Sequence, residues 1–526
     1  MDYLKVGKAT DLEGSDRRWY RIFEILPGFL SYSTLITLLV LSYFKPVWVA
    51  FFLIAFNVYW LLLVVYLAVH LVAAYRKLKY NSQVNWKERV EAIAAGDFSA
   101  RGIASDSLAK QGKTWKDYWH LIVLPNYNES EEIIASAIDS LLQDGFPTSQ
   151  MIVVVAMEER AGEEAHERAR NIEARFKDKF GRLIITFHPD GITGELKGKG
   201  ANQAWAIKQV QRDLLDAENF NYDDVLVSVF DIDTMVKPGY FYALMYKFLT
   251  VTAPYRASYQ PIPVYHNNLW EAPFFSRVAA SSNTFWQMMM QIREEQLVTY
   301  SSHSMTLRAL AEIGFWSTNM VSEDSRIFWN CLLHYEGDYR VEPMYFPVSM
   351  DITYDRNLKQ TAKSLYKQQR RWAWGSENVP YLLFNTMKRW KTVDRGKLMS
   401  HIFTQVYGFH SWATNALIIA VIGWMPMLIG GQRFNTTVLS GNLPTITQSL
   451  MNIAMIGLVL SAVVSTLLLP KRPAQYTVWK NIRMVLEWIF VPVTIIFFGS
   501  IPCLDAQWRL MRGKYMGFWV TPKSRG

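Results

Sequence analysis

The chain has 526 residues, of which 50% are apolar and 14% aromatic, and its formal net charge is +9. The basic residues lie beside apolar segments and form no lysine-rich tail, a distribution that favours a membrane surface and argues against nucleic acid as a partner. Two cysteines, Cys331 and Cys503, lie far apart in sequence, which argues against a disulfide scaffold and favours a reducing compartment.

The first predicted elements are two membrane helices within residues 1–80. Residues 28–74 carry almost no charge and are interrupted by Lys45 and Pro46, so they predict a helical hairpin with its turn at residues 44–47. Basic residues flank the hairpin on both sides, which predicts that both flanks are cytoplasmic. Residues 1–27 lack the order of a cleavable signal peptide, and none is expected.

Residues 81–395 are predicted to form a water-soluble cytoplasmic domain, in which strand-like runs alternate with helix-periodic segments. The predicted strands are 120–125, 151–157, 182–188 and 224–231, and the predicted helices between them include 129–142 and 163–176. This alternation predicts an α/β domain with a doubly wound, mostly parallel sheet, in which ligands bind beyond the carboxyl ends of the strands.

The sequence PNYNES at 125–130 closes the first predicted strand and offers the polar groups of Asn128 and Glu129 to a ligand. An ordinary turn followed by a helix N-cap is the simpler explanation of these six residues taken alone.

The sequence GELKGKGANQAW at 194–205 combines Gly198 and Gly200 with Lys197 and Lys199, just before a helix that is predicted to begin near Ala201. Glycines allow a close backbone approach, and the combination suits phosphate oxygens. A flexible solvated loop is an equally good interpretation.

The sequence FDIDTMVKPGYF at 230–241 places Asp231 and Asp233 directly after a buried strand. Two carboxylates at this spacing repel each other unless they share a cation, and oxygen ligands suit Mg²⁺ or Mn²⁺. The pair therefore predicts a metal that neutralises a diphosphate, and the alternative is a solvated turn.

The sequence VSEDSRIFW at 321–329 contains Glu323 and Asp324, either of which could take a proton from an incoming hydroxyl. A helix start capped by Ser322 is the alternative.

The sequence QQRRWAWG at 368–375 offers arginines to a leaving diphosphate and tryptophans to a sugar ring. An interfacial helix near a membrane is the alternative. Residues 384–393 alternate large apolar side chains with basic ones and predict a helix in the headgroup layer, with Phe384, Met387 and Trp390 among Lys388, Arg389 and Lys391.

Residues 396–526 are predicted to carry interfacial and transmembrane helices and a basic tail. Apolar segments lie at 405–430, 447–469 and 484–503, and a basic loop precedes the last of them. If all five apolar segments cross the membrane, the C-terminus lies outside the cytoplasm, whereas its basic residues favour the cytoplasmic side. Pro492 and Pro502 make the last segment the candidate for a re-entrant or interfacial helix. Buried core helices of a soluble protein are a poor alternative for five such runs.

The order of these motifs resembles the membrane-integrated family 2 glycosyltransferases, which include cellulose, chitin and hyaluronan synthases and ceramide glucosyltransferases. The motifs are Pro-x-Tyr-Asn-Glu, a Gly-Lys-Gly loop, Asp-x-Asp, a Glu-Asp pair and Gln-x-x-Arg-Trp, and they run through about residues 118 to 380 into membrane helices. The resemblance implies a GT-A-like fold, an inverting mechanism and a divalent metal, Mg²⁺ or Mn²⁺.

The resemblance also assigns roles by motif. Asp231 and Asp233 would hold the metal, Asp231 would also contact the nucleotide sugar, Asp324 would be the general base, and Glu323 its neighbour. The remaining nucleotide-sugar contacts would be Pro125, Tyr127, Asn128, Glu129, Glu158, Lys199 and Arg371, and the acceptor contacts Gln368 and Trp372. Two departures from the family pattern are Met157-Glu158-Glu159, where an aspartate is usual, and Ser322 in place of threonine.

The predicted function is the transfer of a hexose from a nucleotide sugar, expected to be UDP-linked, to a growing polysaccharide at the plasma membrane. The expected partners are the nucleotide sugar donor, a polysaccharide or lipid acceptor and membrane lipids, with no nucleic acid. One alternative is a glycosyltransferase with a lipid or lipid-linked acceptor. Another is a catalytically dead scaffold that senses polysaccharide.

Overall fold

The structure is a computed structural model that describes residues 2–100 and 102–521. Its central element is an eight-stranded sheet. The strands are β1 Trp119–Pro125, β2 Met151–Glu158, β3 Arg182–His188, β4 Val225–Val229, β5 Met235–Val236, β6 Ala257–Tyr265, β7 Ser304–Thr306 and β8 Arg340–Met350.

Nineteen α-helices lie in the described part of the chain. They are α1 Gly14–Phe44, α2 Pro46–Asn81, α3 Trp86–Ala94, α4 Glu131–Leu142, α5 Glu163–Phe176, α6 Lys199–Val210, α7 Tyr240–Thr250, α8 Phe274–Ile292, α9 Leu307–Glu312, α10 Glu323–His334, α11 Leu358–Ala373, α12 Asn378–Lys388, α13 Arg395–Ala420, α14 Met425–Ile429, α15 Gly431–Asn435, α16 Val438–Leu468, α17 Val478–Leu486, α18 Val491–Ile495 and α19 Ile501–Met511.

The strand order is β3-β2-β1-β4-β7-β6-β8-β5. The first four strands run parallel, with Val123 of β1 level with Val154 of β2 and Val229 of β4. The predicted fold class is thereby confirmed, although the sheet is mixed: β7 is antiparallel to both β4 and β6, and β5 is antiparallel to β8. Carboxyl ends of the parallel strands meet at one edge, where ligands bind in such sheets.

Helices cover both faces of the sheet because successive strand residues point to opposite sides. Leu121 and Val123 belong to an apolar cluster with α6, α10 and α12, whereas Ile122 and Leu124 belong to a second cluster with α4, α5 and α7. Each central strand is therefore apolar on both sides, as is typical of parallel strands.

The N-terminal segment, residues 2–13, packs on the α/β domain and not on the membrane helices alone. The Arg326 guanidinium of α10 donates to the carbonyl of Val6 at 3.0 Å, and the Tyr381 hydroxyl of α12 donates to that of Leu4 at 3.3 Å. Phe384, which the sequence placed in a headgroup-layer helix, is buried against Tyr3 and Tyr20. The α12 helix therefore lies in the domain core.

Within the described residues, four helical segments are long and apolar enough to cross a membrane: Gly14–Phe44, Pro46–Asn81, Val438–Leu468 and Val478–Met511. The break between the first two lies at Lys45, within the predicted turn. A fifth candidate, Arg395–Ala420 with Ile422–Ile429, is bent by 40°. The bend thus falls in the first of the three late apolar segments.

The last candidate, Val478–Met511, contacts the α/β domain near both of its ends. Glu487 forms an ion pair with Arg277 of α8, in which Arg277 Nε lies 3.0 Å from Glu487 Oε2 and both side chains are buried. Toward the other end, Arg370 of α11 pairs with Asp505 at 2.7 Å. The segment is thus long and apolar enough to cross a bilayer, and it also forms two ion pairs with helices of the α/β domain.

Candidate active site

The Asp-x-Asp loop follows β4 at the carboxyl edge of the parallel strands. Asp233 is buried, and its Oδ2 accepts the backbone N–H of Asp351 at 3.0 Å. The side-chain amide of Asn267 donates both to the carbonyl of Asp233 at 2.9 Å and to Asp351 Oδ1 at 2.8 Å. The loop is therefore fastened to the ends of β6 and β8, while Asp231 remains partly exposed.

The Glu-Asp pair lies at the start of α10, and one lysine contacts both this pair and the Asp-x-Asp loop. Lys199 Nζ lies 2.6 Å from Asp231 Oδ1 and 2.9 Å from Asp324 Oδ1. The Thr299 hydroxyl donates to the carbonyl of Asp324 at 2.7 Å, which fixes the start of α10. Three motifs that are far apart in sequence therefore meet at the Lys199 ammonium group.

Glu323 points into the protein, with only 2% of its surface exposed. Burial, and next to it the charge of Asp324, raise the pKa of Glu323 to about 8. Its carboxyl group is therefore largely protonated at neutral pH and contributes little negative charge to the site.

Glu323→Gln is expected to stabilise the protein increasingly as the pH rises. Between the ordinary pKa of 4.5 and the raised pKa of about 8, the unfolded chain loses the Glu323 proton while the folded protein keeps it, so the wild-type free energy of unfolding falls with pH. Glutamine has no proton to lose. Thermal midpoints in detergent at pH 5 and pH 8 check this, and an equal difference from wild type at both pH values would contradict the assigned burial effect.

Glu377 supports the turn that leads into the Glu-Asp pair. Its Oε1 accepts the backbone N–H groups of Val321 and Ser322 at 3.3 and 2.9 Å, and its Oε2 accepts the Trp374 indole N–H at 2.8 Å. Burial raises the pKa of Glu377. Sequence reasoning missed this residue, since a single glutamate after Gln-x-x-Arg-Trp carries no signal of such contacts.

The Gln-x-x-Arg-Trp motif lies on α11, which borders the site. Gln368 accepts the Thr353 hydroxyl at 2.7 Å, and Trp372 packs on the apolar cluster that contains Tyr265. Arg371 lies close enough to Glu323 to affect its pKa, and the Nε of Arg371 is buried with no hydrogen-bond partner among the described residues. A cation with one buried, unpaired donor thus lies near the acidic residues.

The C-terminal segment, residues 512–521, covers part of this region and was not predicted from sequence. The Phe518 ring lies 4.9 Å from the Arg371 guanidinium, and a Cβ added to Gly198 would be 2.6 Å from Phe518 Cγ. The Tyr515 hydroxyl donates to Glu24 of α1 at 2.9 Å. Glycine at 198 is required by this close approach.

The predicted nucleotide side begins at the ends of β1 and β2. Pro125 is the buried last residue of β1, and Asn128 is exposed. Glu129 Oε2 accepts the backbone N–H of Tyr127 at 3.0 Å, so this carboxylate shapes its own loop. Asn202 of α6 donates to the carbonyl of Ala156 at 2.7 Å and ties the Gly-Lys-Gly loop to β2.

Glu158 lines a pocket at the ends of β2 and β3. It is paired with Arg160, whose guanidinium lies 4.0 Å from the centre of the Tyr127 ring. The pocket lining includes Glu158, Arg160, His188, Asp190 and Lys197. Arg160 therefore joins two of the predicted nucleotide contacts, although the sequence did not single it out.

The acidic loop suits a divalent ion by the chemistry of its donors. No group of three His, Cys, Asp or Glu side chains in residues 2–100 and 102–521 converges to hold a metal. However, Asp231 and Asp233 supply carboxylate oxygens, and Asp231 Oδ1 already holds the cationic Lys199 ammonium. Mg²⁺ and Mn²⁺ commonly fill their other positions with water and phosphate oxygens, so two carboxylates suffice.

A mixed sheet with acidic loops at its carboxyl edge and apolar helices beside it defines a membrane-associated transferase with a GT-A-like domain. The sequence model of the family described as glycosyl transferase family group 2 matches residues 226–497, which is more than half of the chain. The chain belongs to glycosyl transferase family group 2 and is a glycosyltransferase.

Two solved structures are similar to this chain. A mannosyltransferase from Pyrobaculum calidifontis, in complex with GDP-Man and Mn²⁺, is 11% identical with a TM-score of 0.38, covering 76% of this chain and 98% of its own. TarS from S. aureus is 11% identical with a TM-score of 0.34, covering 68% of this chain and 56% of its own. No curated protein matches the chain.

Proposed function

We propose that the chain is an inverting, metal-dependent hexosyltransferase that moves a hexose from a nucleotide sugar, in the first instance UDP-linked, to a growing polysaccharide at the cytoplasmic face of the plasma membrane. The observation that carries this proposal is the approach of Asp231 and Asp324 to one ammonium group, within 2.6 and 2.9 Å. A carboxylate for the metal and a carboxylate for the acceptor thus lie within reach of one sugar.

In the proposed reaction Asp324 accepts the proton of the acceptor hydroxyl. The hydroxyl oxygen attacks the anomeric carbon from the face opposite the diphosphate. The bond between that carbon and the diphosphate oxygen breaks, and the diphosphate leaves with the electron pair. Configuration inverts in this single displacement. Arg371 and Lys199 compensate negative charge on the departing nucleoside diphosphate. A divalent ion held by Asp231 and Asp233 would supply further charge compensation.

The proposed orientation follows from charge and contacts together. Basic residues flank the first hairpin, which favours the cytoplasm for both flanks and for the domain between the membrane segments. The N-terminal and C-terminal segments both contact the α/β domain or α1 beside it. If Val478–Met511 does not cross the membrane, four of the five candidate crossings remain. An even number of crossings puts the basic C-terminus in the cytoplasm, in agreement with the charge rule.

A lipid acceptor is the second candidate, and a cavity beside the membrane helices favours it. The cavity lies between α8, the end of α16 and α17, and reaches Tyr265 near the site. Its lining mixes apolar and polar side chains and includes His266, Leu469, Met484 and Trp488. Such a lining suits an amphipathic molecule that enters from the bilayer.

Release of nucleoside diphosphate by the full-length protein in detergent tests the proposal. A panel of UDP- and GDP-sugars, with Mg²⁺ or Mn²⁺, is expected to give metal-dependent release from at least one donor. Gel filtration of the product separates a polysaccharide from a glycolipid. Metal-dependent nucleotide binding without release from any donor would support the scaffold alternative and contradict the proposed transfer.

A further inference from the structure

One largely buried cation, Lys199, contacts both acidic motifs of the site. Lys199 Nζ contacts Asp231 Oδ1 at 2.6 Å and both carboxylate oxygens of Asp324 at 2.9 and 3.1 Å. The lysine side chain is 10% exposed and each aspartate side chain 26%. An ammonium group has three donors, so most of its hydrogen-bonding capacity serves these two carboxylates.

The lysine stays charged in this position. Burial opposes the charged form, but the neighbouring Asp231 and Asp324 outweigh it, so the pKa of Lys199 is raised above its usual value. Both contacts join this ammonium group to an aspartate carboxylate.

The backbone that carries Lys199 is held tightly against the start of α10. A Cβ added to Gly200 would lie 2.8 Å from the carbonyl oxygen of Ser317 and 3.1 Å from Glu323 Cγ. This close packing leaves little room for α6 to shift. The flexible part of Lys199 is its four-carbon stem, which lets the ammonium group change partners while the backbone stays in place.

These contacts oppose both roles that the proposed reaction gives to the aspartates. An ammonium group that donates to both oxygens of Asp324 occupies the atoms that would take the acceptor proton. An ammonium on Asp231 Oδ1 repels a second cation at that oxygen. The acid–base and metal-binding roles therefore require Lys199 to move.

We propose that Lys199 is a positioning residue that exchanges between these carboxylates and the diphosphate of the donor. Donor binding draws the ammonium away, which frees Asp231 for the metal and Asp324 for the acceptor proton. The base is thus released only when a donor is present, and metal and donor bind cooperatively. This inference rests on the proposed function. Besides binding phosphate, Lys199 has a second role in it: without a donor, its contacts with Asp231 and Asp324 keep both carboxylates occupied.

Binding of Mn²⁺ without any nucleotide tests the exchange, measured by electron paramagnetic resonance on the full-length protein in detergent. Lys199→Met is expected to bind Mn²⁺ about tenfold more tightly than wild type, because the competing cation is gone. Lys199→Gln is expected to behave alike. Added UDP or GDP should strengthen Mn²⁺ binding more in wild type than in either variant.

Lys208→Met is the matched control, because Lys208 lies exposed on the same helix, and it should bind Mn²⁺ as wild type does. Loss of folding would weaken Mn²⁺ binding, so a gain in affinity cannot come from misfolding. Equal Mn²⁺ affinity in wild type and in both Lys199 variants overturns the exchange. A different outcome is that the wild type releases no nucleoside diphosphate while the Lys199 variants still bind Mn²⁺ more tightly. That outcome would contradict the proposed function and would still support competition between Lys199 and the metal ion.

Discussion

Asp324→Asn is expected to lower the rate of sugar transfer by about 10²- to 10⁴-fold, the usual contribution of a general base. Asparagine preserves the shape of the side chain, and the Thr299 contact to the carbonyl of residue 324 does not involve that side chain. The amide cannot accept the acceptor proton at neutral pH. Initial rates of nucleoside diphosphate release at saturating donor measure the loss.

Binding of UDP or GDP by Asp324→Asn should change by no more than a few-fold, which separates loss of the base from loss of the site. Asp178→Asn, a change of the same chemistry at an exposed residue after α5, serves as the control and should keep wild-type activity. Normal turnover by Asp324→Asn would remove Asp324 from the role of base.

Asp233→Asn is expected to reduce metal-dependent release of nucleoside diphosphate by about 10²- to 10³-fold. The asparagine oxygen can still accept the N–H of Asp351, which Asp233 Oδ2 accepts at 3.0 Å, so the loop should keep its fold. What is lost is the negative charge available to the ion. Activity as a function of Mn²⁺ concentration gives the measurement.

The metal requirement of Asp233→Asn should shift to higher Mn²⁺ concentration, whereas its thermal midpoint should stay close to that of wild type. The Asp178→Asn control should leave the metal requirement unchanged. If Asp233→Asn needed the same Mn²⁺ concentration as wild type, the assignment of Asp233 as a metal ligand would be wrong.

The first half of the sheet follows closely from the sequence because its strands are continuous apolar runs between helix-periodic segments. The helix predicted at 163–176 has the bounds of α5, Glu163–Phe176. The second half was not predicted. Strands β6 and β8 each contain two prolines, which normally argue against a strand, and the register between them shifts at Gln260 and Ile262. Strand β7 has three residues, too few for a periodic pattern.

The site shows the same division between local and long-range information. The positions of Asp231 and Asp324 could be predicted, because strand ends and helix starts recur at fixed places in such folds. The contact of Lys199 with both carboxylates could not, because it depends on the packing of α6 against α10. Glu377 and Phe518 act across long sequence separations, and their neighbours in sequence give no sign of their partners.

The buried contacts of two arginines limit how this protein can be prepared for study. A fragment limited to residues 81–395 would retain Arg277 and Arg326 but lose Glu487 and the carbonyl of Val6, which bind them at 3.0 Å each. Stranding one member of a buried ion pair costs about 3–5 kcal/mol, a large share of the roughly 5–15 kcal/mol that keeps a domain folded. Expressed in water without its bilayer helices, such a fragment is expected to aggregate, so biochemistry and crystallisation call for the intact polypeptide in micelles or nanodiscs.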